Sequence, residues 1–235
     1  MAAPACQRPI VGQVADSGTV LLIHGGLWDD TGADFFWRRT GVADGLTRRG
    51  FKVIAPDRLR RPTDWTAEAR HIASAAGLAG DDAPSASPGT IARRGLTVVG
   101  GSFGCAAAVR LMLDFPGIAG RLVLAWPASV SDQFTSIRVR SGLSRQGARG
   151  ATLDALLGGG TLPGATDAEL GRLDVPAGIV PSVPPNPLHP RAAVDALLRL
   201  LPSAVELPGC PEAPRLEFQA RREAFLDAVA AFAVA

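Results

Sequence analysis

The stretch from Leu96 to Gly104 constrains this chain most. Leu96, Thr97, Val98 and Val99 form a short apolar, β-branched run. It passes without a spacer into Gly100-Gly101-Ser102-Phe103-Gly104, and a helix-forming run starts at Cys105. A serine at such a strand-to-helix junction sits on a sharp, strained turn, with small residues on either side so that neighbouring backbone can pass. Its hydroxyl then stands above the sheet edge, beside a helix N-terminus that favours developing negative charge. The plainer reading is that Ser102 only caps the helix. The strand before it and the helix after it favour the nucleophile.

The same alternation runs through the chain. Apolar strand-like runs lie at 19–23, 52–55, 96–99, 121–125, 177–180 and 204–207, and amphipathic helical runs at 35–49, 66–76, 105–114, 191–201 and 219–233. This is the pattern of an α/β fold, a mostly parallel sheet flanked by helices. A length of 235 residues and 47 % hydrophobic content suit a single domain spanning 1–235. Two segments interrupt it. Residues 80–88 read as a flexible surface loop, and residues 129–174 as a small lid inserted over the sheet edge, with one weak helix and the Gly158-Gly159-Gly160 run.

With these residues in hand the sequence resembles the α/β-hydrolase superfamily over about 17–233. Beyond the serine elbow the resemblance rests on VLLIHGG at 20–26, GFKVIAPD at 50–57, Phe115-Pro116-Gly117 and RLVLA at 121–125. It implies the α/β-hydrolase fold, and an oxyanion hole built from the backbone N–H of Phe103 and one from Gly26 or Leu27. It implies that His24, in the His-Gly pair, is a structural hydrogen-bonder behind that loop and not the base.

The resemblance also implies an order: serine, then an acid after the strand at 177–180, then a histidine after the strand at 204–207. The acid position falls near Asn186 and the histidine position near Glu212, so neither loop carries the expected group. Three histidines are available, His24, His71 and His189. His71 reads as a surface or packing residue. His189 could reach Ser102 if the Pro-rich loop folds inward, with Asp132 or Asp174 as its acid. Glu212 could instead serve as a weak base if burial raised its pKa. Ser102, His189 and Glu212 are therefore the candidate catalytic residues.

Three readings stay open. One is a serine esterase or thioesterase for a small apolar carbonyl substrate with an unusual base. Another is a non-hydrolytic catalyst of cyclase or dehydratase type. The third is a silent binding module. The formal charge of +2 gives no argument for nucleic acid, and no apolar run approaches the roughly 20 residues of a membrane span. An N-terminus without a secretory pattern and three unpatterned cysteines, Cys6, Cys105 and Cys210, suggest a reduced cytoplasmic protein. No metal-ligand spacing and no cofactor motif stand out. Arg138, Arg140, Arg145 and Arg149 on the lid suit an anionic ligand or a solvated face. Phe35, Phe36 and Trp37 suit a pocket wall or a core helix.

Overall fold

The computed structural model describes residues 17–78 and 95–235. The expected surface loop at 80–88, Cys6 and the N-terminal segment fall outside them. Six strands form one parallel sheet: β1 (Thr19–Ile23), β2 (Lys52–Ile54), β3 (Leu96–Gly101), β4 (Arg121–Ala125), β5 (Ala177–Val180) and β6 (Ala204–Glu206). Their order is β2-β1-β3-β4-β5-β6. Each strand starts where the apolar pattern puts it. The elbow strand runs two residues further than expected, through Gly100 and Gly101.

Side chains on a strand point alternately to the two faces, and both faces here are covered. Leu21, Ile23, Val98, Leu122, Leu124 and Ile179 belong to one buried cluster, with α2 (Trp65–Ala75) and α3 (Gly104–Asp114). Val20, Leu22, Val99, Val123 and Val180 belong to the other, with α1 (Val42–Arg48) and the C-terminal helix Arg222–Val234. Hence the inner strands are apolar on both sides, whereas edge strands β2 and β6 are partly exposed. Trp126, immediately after β4, knits the second cluster together, stacking on Phe225 at 5.2 Å and Trp37 at 6.3 Å.

Two helix expectations need correction. The run at 35–49 is not one helix: a π-helical turn, Asp34–Arg38, is followed by Gly41 at φ 78°, and only then by α1. Thr40 Oγ1 donates to the Phe36 carbonyl at 2.8 Å, and Gly41 admits the left-handed break. The segment 129–174 holds three helices where one was expected: α4 (Gln133–Arg145), α5 (Gly150–Leu157) and α6 (Asp167–Leu170). Local capping explains them. Asp132 accepts from the Thr135 N–H at 2.8 Å, and Thr166 with Glu169 forms a capping box. Next come α7 (Arg191–Leu200) and α8 (Arg222–Val234), the latter led in by a 3-10 turn, Leu216–Arg221.

The elbow is as crowded as its glycines suggest. Ser102 has φ 54°, a left-handed conformation that costs energy for a residue with a Cβ. A Cβ on Gly100 would lie 2.6 Å from the Gly104 carbonyl oxygen, and one on Gly104 would press into the carbonyl oxygens of Ile23 and His24. Gly104→Ala is therefore expected to cost about 1–3 kcal/mol as overpacking against backbone that cannot yield. Urea unfolding of the purified variant checks this; native-like stability would contradict the packing described.

Candidate active site

Parallel pairing brings the loops after β5 and β6 side by side. Ile179 pairs with Glu206, and a bridge between Ser182 and Cys210 continues the ladder past the strand ends. The Val183 N–H donates to the Cys210 carbonyl and the Cys210 N–H to the Pro181 carbonyl, each at 3.1 Å. Trp126 Nε1 donates to that same Cys210 carbonyl at 3.0 Å, which ties the second loop to the aromatic core. Cys210 therefore acts through its backbone. Its thiol is buried, does not line the site cavity, and is pushed up to about 11 by that burial. Cys105 is likewise a buried packing residue whose thiol is pushed up by desolvation.

The Pro-rich loop folds inward. Asn186 Oδ1 accepts from the backbone N–H groups of Leu188 at 3.0 Å and His189 at 3.1 Å, making a tight local turn. Outside contacts fix that turn: the Ser129 N–H donates to the Leu188 carbonyl at 2.9 Å and Thr135 Oγ1 to the Pro187 carbonyl at 3.2 Å. His189 Nε2 then lies 2.9 Å from Ser102 Oγ. On its other side His189 Nδ1 lies 2.9 Å from Glu212 Oε1.

Electrostatics fix the proton positions along this chain. Burial alone would raise the Glu212 pKa. Hydrogen bonds from His189 and Ser182 outweigh burial and hold the carboxyl down at about 2. Ser182 Oγ donates to Oε1 at 2.6 Å, the Asn186 amide donates to the same oxygen, and Arg215 Nε pairs with Oε2 at 2.8 Å. An ionised carboxylate can only accept, so His189 Nδ1 carries the proton. In the neutral ring the lone pair on Nε2 then faces the Ser102 hydroxyl, the tautomer a base needs.

This corrects two expectations. Glu212 is not a weak base with a raised pKa, because hydrogen bonds from His189 and Ser182 outweigh its burial. Neither Asp132 nor Asp174 partners His189: Asp132 is spent capping α4, and the acid against the imidazole is Glu212. His24 has both ring nitrogens engaged, Nδ1 donating to the Gly25 carbonyl at 2.8 Å and Nε2 accepting from the Arg58 N–H at 3.0 Å. Burial and the nearby Arg58 lower its pKa to about 4, so the ring is neutral and locked behind the loop. His71 Nε2 meets the Asp57 carbonyl at 2.9 Å, away from the cavity.

A cavity of about 350 Å³ opens above Ser102. Gly26, Leu27 and Phe103 line it together, as an oxyanion loop and the start of α3 would. Phe35 and Phe36 form part of its wall, whereas Trp37 is wholly in the core. From α4 come Val139 and Leu143, with Gln146 just beyond its end. Arg138, Arg140, Arg145 and Arg149 do not line it: Arg140 pairs with Asp154 at 3.0 Å, and Arg149 donates to the Ala148 carbonyl at 2.8 Å. Sequence reading missed Ser182, Arg215 and Asp29. The first two hold Glu212, and the carboxylate of Asp29 lines the cavity and accepts from the Leu27 N–H at 3.3 Å. They are ordinary polar loop residues whose roles come from the fold alone.

Neither a protein-family model nor a curated protein matches the chain by sequence. Its structure is similar to many solved ones. The meta-cleavage product hydrolase of Pseudomonas fluorescens IP01 is 17 % identical, with a TM-score of 0.61 over 92 % of this chain and 90 % of that one. The N-formylmaleamic acid deformylase of Pseudomonas putida S16 is 16 % identical, with a TM-score of 0.58 over 90 % and 91 %. MGS-MChE2, an α/β-hydrolase enzyme from a lagoon-sediment metagenome, is 17 % identical, with a TM-score of 0.59 over 90 % and 88 %. Likeness at such identities establishes the fold; the chemistry has to be argued from the residues.

Proposed function

This chain has the α/β-hydrolase fold, and we propose that it is a serine hydrolase of small, apolar esters or thioesters. In it Ser102 is the nucleophile, His189 the base and Glu212 the acid. One observation carries the reading: the unbroken hydrogen-bonded series from Ser102 Oγ through His189 to Glu212, each step 2.9 Å. The set is complete, but its chain order is serine, histidine, acid. Base and acid have exchanged loops relative to the usual order of this fold. Such sets are recognised by geometry and roles and recur in several chain orders.

The steps follow from the geometry. Ser102 Oγ attacks the carbonyl carbon as its proton passes to His189 Nε2, and the imidazolium is stabilised by the Glu212 carboxylate. The Phe103 N–H, at the start of α3, and the Gly26 N–H donate to the oxyanion. His189 then gives its proton to the departing alcohol or thiol, leaving an acyl group on Ser102. A water, deprotonated by the same imidazole, releases the acid and restores the hydroxyl. The apolar wall of Leu27, Phe35, Val139 and Leu143 suits an uncharged acyl group. His189 beside Ser102 and Glu212 beside His189 favour this reading over the non-hydrolytic and silent-binding ones.

A fluorophosphonate reagent tests this without knowledge of the substrate. Its phosphorus should become bonded to Ser102 Oγ with loss of fluoride. Intact mass is expected to show one adduct on the native protein and none on Ser102→Ala. A native chain that stays unmodified would sink the proposal.

A further inference from the structure

Arg58 and Glu68 form a buried ion pair that the reaction steps above do not use. Arg58 is 6 % exposed and Glu68 0 %, with Nε 3.3 Å from Oε1. Stability does not explain such a pair, because desolvating two charges commonly cancels their attraction. Glu68 Oε2 even lacks a hydrogen-bond partner among the described residues. What the pair does do is grip the loop after β1. Arg58 Nη1 donates to the carbonyls of His24 at 3.0 Å and Gly26 at 2.8 Å, with the Gly25 carbonyl at 3.4 Å. Its own N–H holds His24 Nε2 at 3.0 Å. Glu68 Oε1 fixes the guanidinium and also accepts from the Leu59 N–H at 3.1 Å. The Trp65 ring lies 5.7 Å from the guanidinium carbon.

Peptide planarity gives this grip a consequence at the active site. In a trans peptide the carbonyl and the following N–H point in opposite directions. Arg58 draws back the His24 and Gly26 carbonyls on either side of the Gly25 carbonyl, which His24 Nδ1 holds at 2.8 Å, and the N–H groups of Gly26 and Leu27 therefore turn the other way. Both residues line the cavity above Ser102, and the Leu27 N–H indeed meets the Asp29 carboxylate, which lines it too. We propose that Arg58, braced by Glu68, is a positioning residue that presets the oxyanion donors of the loop at 24–27. The inference rests on Ser102 being the nucleophile; the oxyanion then forms against a Gly26 N–H that needs no reorganisation, while the Leu27 N–H is taken by Asp29.

The test uses the fluorophosphonate at saturating concentration, where Oγ–P bond formation with fluoride loss and proton transfer to His189 sets the rate. Arg58→Met combined with Glu68→Leu removes both charges while keeping bulk, so no buried carboxylate is left unpaired. The labelling rate per folded molecule is expected to fall about 100-fold, as when one preset donor is lost. The half-saturating reagent concentration should stay unchanged. Arg58→Lys keeps the charge but replaces Nε and Nη1 by a single nitrogen on a shorter reach, so it cannot hold Glu68 and the carbonyls together; it should label more slowly than native, and it decides the question where the double variant does not fold. A purely structural pair would lower the melting temperature and leave the rate per folded molecule at the native value, which overturns the proposal. If the native chain itself is unlabelled, the serine-hydrolase reading falls and this inference with it. Native labelling together with full-speed variants refutes the inference alone.

Discussion

His189→Ala is expected to slow fluorophosphonate labelling of Ser102 by four or more orders of magnitude, ~10^4–10^6, the range seen when a serine loses its base. No other histidine can substitute. His24 is committed at both nitrogens behind the loop, and His71 binds the Asp57 carbonyl. The fold should survive, since His189 is a loop residue whose turn is held by the Asn186 side chain and by backbone contacts from Ser129 and Thr135. Matching native and variant melting temperatures would separate lost chemistry from lost structure. Pseudo-first-order labelling, followed by intact mass over days, supplies the rate.

Glu212→Gln should show in both rate and stability. A carboxamide turned with its NH2 toward His189 would invite the other tautomer, with the proton on Nε2, and the ring could then no longer accept from Ser102. A loss of about 10^4 in rate is the scale for such a change. Stability follows from linkage. The Glu212 carboxyl is held at about 2 against an ordinary 4.5, so the folded state keeps it ionised where the unfolded chain would protonate it. That contribution, about 3 kcal/mol, is fully present above pH 4.5 and is lost as pH falls toward 2. Urea unfolding should therefore find the variant weaker than native at pH 7, with the gap closing between pH 4.5 and 2. His24 acts in a higher window. Its pKa is lowered to about 4 from 6.5, so the unfolded chain gains a proton first, and native stability also falls from pH 6.5 to 4. That limb should be the same in native and variant. A pH-independent gap would mean Glu212 does not hold its charge as described.

Much of the fold was legible because its signals are local. Each strand is a short apolar run bounded by glycine, proline or charge, and the elbow at Ser102 states its geometry in five residues. What escaped reading depends on context. A helix across Gly41 looked continuous because periodicity persists through a glycine whose φ only the fold sets. The helices at 150–157 and 167–170 were masked by small residues and glycines, although Thr166 and Glu169 spell a capping box. At the site, Ser102 was legible as a nucleophile and His189 as a possible base, whereas Glu212 was read as a base and not as the acid now proposed. Glu212 looked like a possible base because burial alone would raise its pKa. Only the arrangement that lets His189 and Ser182 donate to it reverses the sign. That arrangement comes from the ladder between Ser182 and Cys210, which no spacing in the sequence announces.

In the proposed reaction His189 and Glu212 serve Ser102 as one unit in an exchanged order. A double-mutant cycle on the Ser102 labelling rate, with Ser102→Ala as the baseline, puts this coupling to the test. Glu212→Gln should slow the native protein by orders of magnitude, yet slow His189→Ala no further, since an acid with no imidazole to orient has nothing left to contribute. Equal losses from Glu212→Gln in both backgrounds, or a His189→Ala protein that labels at the native rate, would mean that the two residues do not act on Ser102 as a unit.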